Sequence, residues 1–385
     1  MLNFKFRLPT EIIFGKGEEK NIGLYAKSLG EKILIHYGEG SVVKSGLLDT
    51  VCACLDSAGI KYLLLGGAKP NPMLSLVYEG IKLCKENGVT GILAVGGGSA
   101  IDSAKAIADG ACYDGDVWDF FDGKADPCAA LPVGVILTLA AAGSESSVGT
   151  VITNDANLKK RGRNSDFHRP VFAICNPELT YGVSAYQTAC GVSDINAHIL
   201  ERYFSNTPDV NVSDRLCEAL LLSVIGAART AIEKPSDYAA RADIMWAGSL
   251  AHNNLVGVGR EQDWASHALS HELSALYGTA HGAALAIIFP AWMKYVWKIN
   301  KRIFLRFATV VMGMDAFFGE ATAIVGGINK YEDFLRSLGL PVRMSEIGIP
   351  ESAVEQMALR VLERTPGSFK KLSYEDILNI YRLAY

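Results

Sequence analysis

Up to about residue 180, short apolar runs alternate with amphipathic stretches. Four of the apolar runs have the length of buried strands, and three of them end in glycine: KILIHYG (32–38), KYLLLGG (61–67), GILAVGGG (91–98) and VGVILTL (133–139). Between these runs, apolar residues recur at helical spacing over residues 42–58, 74–88 and 99–110. Strands that alternate with helices predict a parallel sheet with helices on both of its faces.

After about residue 184 the pattern changes to long segments with helical periodicity and hardly a strand pattern among them. These segments cover residues 187–204, 212–232, 237–256, 264–276, 282–298 and 300–312. The change predicts a boundary near residues 180–184. We therefore expect two domains, an α/β domain over residues 1–182 and an all-helical domain over residues 183–385.

The composition, with 49% hydrophobic and 20% charged residues, is that of a globular protein with ample material for its cores. Its 37 Lys and Arg nearly balance its 41 Asp and Glu, and no basic block is interleaved with aromatic residues, so a nucleic-acid partner is not expected. No apolar run approaches the ~18 residues that a membrane span needs. The N-terminal MLNFKFRLPTEIIFG lacks the apolar core and cleavage site of a signal peptide, which predicts a cytoplasmic protein.

Eight cysteines are scattered between residues 52 and 217. Only Cys52 and Cys54 lie close together, as C-x-C without the second pair that would complete a zinc site. A chain of this length does not need disulfides for stability. We therefore expect reduced thiols packed in the cores of a cytoplasmic protein.

The predicted strand at 91–98 ends in three glycines (96–98), and Ser99 opens a predicted helix. Ligands of an open α/β sheet bind beyond the carboxyl ends of its strands. The glycines would let the backbone approach a bulky anion, toward which the free N–H groups of the helix start would point. A tight turn with Ser99 as N-cap and Asp102 at N3 explains the same residues without a ligand. The pattern is neither G-x-G-x-x-G nor a Walker loop, so both interpretations stay open.

Two further turns follow predicted strands. In HYGEGSVVKSG (36–46), Glu39 could accept hydrogen bonds from a ribose diol and repel a 2′-phosphate, or it could be an exposed turn acid. The stretch LTLAAAGSESSVGT (137–150) is rich in small residues. It suits either the close approach of a flat or phosphorylated ligand or a tight crossing of chain segments.

Asp194 and His198 lie four residues apart in a segment with helical periodicity, so their side chains project from one helix face. They are either a polar pair on a solvated face or two ligands of a metal. The stretch DWASHALSHELSALYGTAHGAALAIIFP (263–290) adds His267, His271 and His281. One carboxylate and four imidazoles suit a divalent transition metal. Spacing alone nominates His267 and His271 together and cannot rank His281.

The chain resembles the iron-containing (group III) alcohol dehydrogenases, in particular their butanol dehydrogenase or broad aldehyde reductase branch. The resemblance covers essentially the whole chain through EIIFGKG, KPNP (69–72), AVGGGSAID (94–102), AGSESS (142–147), NPELTY (176–181), YQTACGVSDINAHILERYF (186–204) and DWASHALSHELSALYGTAHGAALAIIFPAWM (263–293). It implies a dinucleotide-binding α/β domain with a Rossmann-like parallel sheet, followed by an all-α metal-binding domain. This architecture is shared with dehydroquinate synthase.

The metal ligands of that family are the Asp and His of G-x-x-D-x-x-x-H, the first His of H-x-x-x-H and the His of the following H-G. The resemblance places them on Asp194, His198, His267 and His281. It makes His271 a non-ligand near nicotinamide and substrate, and a candidate for proton relay. The family usually takes Fe²⁺, and some members use Zn²⁺.

The resemblance also implies the residues that contact the cofactor: Gly38, Glu39, Ser41, Asn71, Gly97, Gly98, Ser99, Asp102, Thr138, Leu139, Ser147, Lys160 and Leu179. The chain departs from the family pattern at Ala142, which lacks the usual hydroxyl, and at Ser147, where relatives often carry Asn. Many members of the branch have Y-G-G-G-S where this chain has YGEGS. Glu39 therefore favours NAD(H) over NADP(H), although the neighbouring Lys44 could offset it.

The implied activity is reversible hydride transfer between a nicotinamide cofactor and a primary alcohol or aldehyde, such as butanol and butanal. The family expectation for assembly is a homodimer. Two alternatives remain. The first is a metal-dependent hydrolase built on the helical half, since helices rich in His and Asp also activate water. The second is a non-redox enzyme of the dehydroquinate synthase type, which needs NAD only catalytically.

Overall fold

In the computed structural model the chain forms two compact units, and the structure describes residues 1–38, 40–363 and 366–385. Residues Arg7–Val183 form the sheet unit, whereas Met1–Phe6 together with Ser184–Tyr385 form the helical unit. The first residues belong to the helical unit because the Leu2 N–H donates a 2.8 Å hydrogen bond to the Gly259 carbonyl.

The sheet unit has eight described strands: β1 (Glu11–Phe14), β2 (Lys32–Gly38), β3 (Lys61–Ala68), β4 (Gly91–Gly96), β5 (Val133–Leu137), β6 (Gly149–Asn154), β7 (Lys159–Asn164) and β8 (Phe172–Cys175). Six of them form one parallel sheet in the order β1-β8-β5-β4-β2-β3, and β6 and β7 form an antiparallel pair. The predicted parallel sheet is confirmed, and its four predicted strands are β2 to β5. The strand β7, KKRGRN, was not predicted because it lacks an apolar pattern.

The helices of the sheet unit are α1 (Ile22–Tyr25), α2 (Ser41–Lys44), α3 (Leu47–Ser57), α4 (Leu74–Asn87), α5 (Gly98–Ala111) and α6 (Trp118–Phe121). Short 3₁₀ segments are Glu18–Asn21, Ala26–Leu29, Asp166–His168 and Pro177–Thr180. The strand β4 is buried along its whole length, because the sheet is covered on both faces.

The carboxyl ends of β2, β4 and β5 lie side by side. The strand β4 pairs with β2 on one side, where Tyr37 faces Val95, and with β5 on the other. The strand β3 lies outside β2, so the chain reverses direction across the sheet between β2 and β4. Ligands of open α/β sheets bind at such a switch point. The three small-residue turns singled out in the sequence therefore meet at one edge.

The helical unit contains α7 (Ala185–Tyr203), α8 (Asn211–Glu233), α9 (Tyr238–His252), α10 (Ala265–Tyr277), α11 (His281–Val296), α12 (Lys301–Arg306), α13 (Glu320–Ser337), α14 (Val354–Val361) and α15 (Tyr374–Leu383). A π-helical turn, Phe307–Val311, follows α12, and Ser345–Ile347 and Glu351–Ala353 are 3₁₀ segments. No strand occurs among the described residues of this unit, so the expected all-helical second half is confirmed. None of its described helices, nor any in the sheet unit, has the length and hydropathy of a membrane span.

The helix α7 is central to the helical unit, since every residue from Thr188 to Tyr203 is buried. Its end packs into an aromatic core in which Phe204 stacks on Phe304 with ring centroids 4.2 Å apart and Trp292 lies alongside. A central helix has no solvated face. Polar side chains on α7 therefore need partners inside the protein.

Candidate functional site

Two of the predicted metal ligands project from the buried middle of α7. Asp194 is 4% exposed and His198 is 5% exposed, and Asp194 Oδ1 lies 3.6 Å from His198 Nδ1. Their spacing of four residues puts both side chains on one helix face, as expected. Burial excludes the alternative of a polar pair on a solvated surface.

Two more helices bring imidazoles to the same carboxylate. His267 on α10 places Nε2 3.9 Å from Asp194 Oδ1, and His281, the first residue of α11, places Nε2 3.7 Å from it. The ligand atoms of Asp194, His267 and His281 all lie within 4.8 Å of one another. His198 approaches the same carboxylate oxygen but is not part of that compact set of three.

The glycine of the H-G pair explains how α11 comes so close to α7. A Cβ atom on Gly282 would lie 1.9 Å from the carbonyl oxygen of Cys190, which no side chain could satisfy without moving the backbone. Only glycine therefore lets the first turn of α11 abut α7. Cys190 lies one turn before Asp194 on α7, so this contact brings His281 next to Asp194.

The donor set fits a divalent metal. Four ligands at about 2.1 Å in a tetrahedron stand about 3.4 Å apart, close to the separations of 3.6–3.9 Å found around Asp194. Among the described residues, His198 Nδ1 and His267 Nε2 are buried without a hydrogen-bond partner. Burial, followed by the neighbouring charge of His252, lowers the pKa of His198 well below its ordinary value. A neutral imidazole is the form that binds metals.

Glu201 is the functional candidate that the sequence analysis missed. Its buried carboxylate accepts hydrogen bonds through Oε1 from His267 Nδ1 at 2.8 Å and through Oε2 from the Trp264 N–H at 2.7 Å. A carboxylate that fixes Nδ1–H leaves Nε2 with its lone pair, as in many metal sites. The signal was present, because Glu201 lies three residues after His198 and seven after Asp194, which places it on the same helix face one turn further on.

His271 lies beside the cluster rather than in it. Its ring centroid is 5.4 Å from that of His281, and it is half-buried. The compact set of ligand atoms contains Asp194, His267 and His281 and does not include His271. Spacing within α10 could not make this distinction, since the cluster is defined by side chains from three helices.

The sheet edge brings the predicted cofactor residues of three turns together. A Cβ on Gly96 would lie 3.8 Å from the Gly38 amide nitrogen, and the Thr138 N–H donates to the Gly96 carbonyl at 3.0 Å. Added Cβ atoms would meet Leu139 at 3.1 Å from Gly97 and Ala142 at 2.8 Å from Gly98. The glycines therefore keep open a turn that other chain segments already crowd.

The helix after this turn starts two residues earlier than it would if Ser99 were its N-cap. Gly97 is the N-cap and α5 begins at Gly98, so the expectation of Ser99 as N-cap was wrong. Asp102 does not cap α5 either. Its carboxylate accepts hydrogen bonds from Ser144 Oγ at 2.5 Å and from the Val151 N–H at 3.0 Å. Burial raises the pKa of Asp102, and the charge of Lys105 opposes that shift.

Three other predicted cofactor residues, Asn71, Ser147 and Lys160, make hydrogen bonds within the sheet unit. Lys160 Nζ donates to Asn71 Oδ1 at 2.9 Å, and Asn71 has a left-handed backbone with φ of 59°. Ser147 is buried, and its Oγ accepts from the Gly149 N–H.

The remaining predicted contacts lie near strand ends. Ser41 is the exposed first residue of α2, and Leu179 packs against the core beside β8. Glu39 lies outside the described residues.

Comparison with known proteins finds one family over nearly the whole length of the chain. Residues 9–177 match the family model described as iron-containing alcohol dehydrogenase, and residues 188–385 match its C-terminal counterpart. The chain belongs to the iron-containing alcohol dehydrogenase family. It is therefore an oxidoreductase that acts on the CH–OH group with a metal and a nicotinamide cofactor. Neither the hydrolase nor the dehydroquinate synthase type is the family that the two models describe.

Three relatives are similar to this alcohol dehydrogenase from end to end. NADH-dependent butanol dehydrogenase A of Clostridium acetobutylicum is 39% identical, with 100% of both chains covered. An NADPH-dependent aldehyde reductase of Escherichia coli is 36% identical over 100% of this chain and 99% of its own. The crystal structure of NADH-dependent butanol dehydrogenase A from Thermotoga maritima superposes with a TM-score of 0.97 at 39% identity, covering 100% of this chain and 99% of that one.

Proposed function

We propose that this alcohol dehydrogenase interconverts primary alcohols and aldehydes of the butanol and butanal class, with NAD(H) as cofactor and one divalent metal, Fe²⁺ or Zn²⁺. The observation that carries the metal part is the convergence of three imidazoles within 3.6–3.9 Å of one buried carboxylate oxygen of Asp194. The substrate class is supported by the names of the relatives that cover the full chain.

Asp194, His198, His267 and His281 would hold the metal. One carboxylate and three neutral imidazoles leave a divalent ion a net charge near +1. When bound, the metal supplies Lewis acidity toward the substrate oxygen. Nitrogen and oxygen donors suit both Fe²⁺ and Zn²⁺, so the donor set does not choose between them.

The chain's own groups would orient the reactants and move the proton. Glu201 holds the His267 ring with Nε2 toward Asp194. His271 is half-buried and lies beside His281, with ring centroids 5.4 Å apart, and from this position it would pass the proton of the substrate hydroxyl to solvent. The turn at Gly97 and Gly98 would receive the cofactor pyrophosphate at the start of α5. When bound there, the nicotinamide would supply hydride donor and acceptor chemistry for the carbinol carbon.

The preference for NAD(H) rests on Glu39. A carboxylate at this turn repels a 2′-phosphate within ~4 Å by a few kcal/mol near a surface, or roughly a hundredfold in affinity. The strand β2 ends at Gly38, directly before Glu39, at the switch point where a ribose would lie. Two relatives named as NADH-dependent butanol dehydrogenases, 39% and 40% identical, support the same choice.

The proposal includes a homodimer in the cytoplasm. All eight cysteines are described, and all are free, which agrees with a reducing compartment. The N-terminal segment exposes Met1, Phe4 and Phe6, each by more than 40%, and apolar side chains of this kind suit burial against a second copy. Light scattering coupled to gel filtration tests the dimer.

The deciding experiment measures absorbance at 340 nm on metal-reconstituted protein with butanal and either NADH or NADPH, before and after a chelator. We expect NADH oxidation that exceeds NADPH oxidation, stops with the chelator and returns with Fe²⁺ or Zn²⁺. Oxidation that persists after metal removal would overturn the metal site. A clear NADPH preference would overturn the role of Glu39. No oxidation over a panel of primary aldehydes would overturn the substrate class.

A further inference from the structure

The backbone carbonyls of a loop of the sheet unit, residues 142–149, accept hydrogen bonds from the side chains of basic residues. Lys105 is 1% exposed, and its Nζ donates to the carbonyl oxygens of Ser144 at 2.7 Å, Ser147 at 3.2 Å and Gly149 at 2.8 Å. It also donates to Ser144 Oγ at 2.9 Å. Burial lowers the pKa of Lys105 to about 8, so the ammonium form persists at neutral pH.

Two consecutive residues hold two further carbonyls that Lys105 does not reach. Arg169 Nη1 donates to the Ser146 carbonyl at 2.8 Å. His168, 1% exposed, places Nδ1 2.9 Å from the Val148 carbonyl and Nε2 2.7 Å from Asp109 Oδ2. A carbonyl oxygen only accepts, so His168 Nδ1 is a donor. Five backbone carbonyls between residues 144 and 149 are therefore bonded to Lys105, His168 or Arg169.

The loop begins against the glycine turn that would receive the pyrophosphate. A Cβ on Gly98 would lie 2.8 Å from the Ala142 Cβ, so the start of the loop packs closely against that turn and leaves no room there for a side chain. The helix α5 connects the two. Its first residues form the turn, Asp102 one turn later accepts a hydrogen bond from Ser144, and Lys105 two turns later donates to the loop carbonyls.

We propose that Lys105, His168 and Arg169 are positioning residues for the dinucleotide, which clamp loop 142–149 against the start of α5 and turn its carbonyl oxygens toward themselves. This inference rests on the proposed function, because it presumes that the turn receives a dinucleotide. A carbonyl oxygen near a pyrophosphate repels it, so side chains that hold the loop carbonyls keep those oxygens from facing the turn that would receive the phosphates. The clamp therefore sets affinity for the cofactor without contact between these three side chains and the cofactor.

The test compares NADH binding, followed by nicotinamide fluorescence on metal-reconstituted protein, in the wild-type chain, Lys105→Met and Lys32→Met. Lys32 is a matched control, since its Nζ donates to one carbonyl outside the loop, that of Asn87, at 2.8 Å. We expect Lys105→Met to weaken NADH binding roughly tenfold or more, as the loss of several charged hydrogen bonds implies. Competition by AMP, which lacks a pyrophosphate, should stay at the wild-type level, and so should NADH binding by Lys32→Met.

A folded Lys105→Met that binds NADH as the wild-type chain does would overturn the clamp, and so would equal losses of AMP and NADH. If Lys105→Met does not fold, Arg169→Gln decides, with Asp166→Asn as its control, because Asp166 pairs with Arg169 at 3.8 Å without touching the loop carbonyls. Arg169→Gln should weaken NADH binding severalfold and Asp166→Asn should not; equal affinities would overturn the proposal. A wild-type chain that binds neither NADH nor NADPH would instead overturn the proposed function, and the clamp with it.

Discussion

Glu201 Oε1 lies 2.8 Å from His267 Nδ1, and the Nε2 of the same ring lies 3.9 Å from Asp194 Oδ1. The carboxylate thus holds one edge of the imidazole while the other edge is turned toward the cluster. The same Oε1 accepts the His267 backbone N–H at 2.9 Å, so Glu201 also fixes the first turn of α10. Side chain and backbone of His267 are oriented by one buried group.

Replacing Glu201 by Gln should weaken metal binding about tenfold to a hundredfold, because a carboxylate behind a ligating imidazole fixes its tautomer and raises its basicity. The two carboxylate oxygens of Glu201 accept hydrogen bonds from Trp264 and His267, but a Gln amide has only one acceptor oxygen. Its NH₂ group would therefore face the N–H of Trp264 or of His267. Competition between apo protein and a chromogenic chelator measures the effect without reference to activity.

The control for that substitution is Glu272→Gln. Glu272 lies on the same helix as His267, is 3% exposed and pairs with Arg360. Its substitution should lower the free energy of unfolding of the helical unit without changing metal affinity. Equal losses of metal affinity in both variants would mean that Glu201 acts only through helix stability.

His281 and His271 should respond differently to the same substitution. We expect His281→Gln to weaken metal binding by more than about a hundredfold, because the substitution removes a ligand. Loss of a hydrogen-bond partner behind a ligand, by contrast, costs at most about a hundredfold in metal affinity. His271→Gln should keep one metal per chain and lower kcat by up to about a hundredfold, as loss of a proton relay would. Metal content after reconstitution and gel filtration separates the two, and loss of metal from His271→Gln would show that His271 is a ligand.

The sequence predicted the parallel sheet because buried strands leave continuous apolar runs, and KILIHYG and GILAVGGG did so. It did not predict β6 and β7, which pair with each other outside the main sheet, and the polar KKRGRN of β7 has no apolar pattern to reveal a strand. It predicted Asp194 with His198, which share one helix. The choice between His271 and His281 needed a resemblance, because it depends on where α10 and α11 cross α7, and that crossing is set by the close contact at Gly282.

Glu201 and Lys105 show the same limit in another form. A glutamate or lysine within a helical pattern predicts a solvated face, since such residues are seldom buried. Both are buried in this structure, because each finds several partners that are distant in sequence: Trp264 and His267 for Glu201, and the loop 144–149 for Lys105. Burial of a charge is decided by those tertiary partners, which one sequence does not reveal.

Glu39→Gln should shift cofactor preference toward NADP(H). Removing a carboxylate near the ribose takes away a repulsion of a few kcal/mol, so the ratio of kcat/KM for NADPH to that for NADH should rise roughly a hundredfold. Glu31→Gln is the matched control, because it makes the same change of net charge directly before the opposite end of β2. An unchanged ratio in Glu39→Gln, or the same rise in both variants, would show that the Glu39 carboxylate does not determine the preference for NADH over NADPH.

The buried side chain of His36 should make the stability of the sheet unit depend on pH. It is fully buried in β2, where Nδ1 donates to the Leu65 carbonyl at 2.9 Å. Burial lowers its pKa from 6.5 to about 4, opposed by that hydrogen bond. Between these values the unfolded chain binds a proton that the folded chain does not bind. The stability linked to neutral His36 is therefore present above pH 6.5 and is lost as pH falls toward 4.

This shift in the pKa of His36 corresponds to about 3 kcal/mol in the free energy of unfolding. The substitution His36→Leu should remove that contribution from the pH dependence of stability. Urea unfolding at pH 4.5 and 7.5, with a chelator in every sample so that metal release does not contribute, gives the free energy of unfolding for both chains. Because other titrating groups are common to the two proteins, the difference between their pH dependences isolates His36. Wild type should lose more stability on acidification than His36→Leu. Parallel pH profiles would show instead that His36 is protonated in the folded chain or reaches solvent before the sheet unfolds.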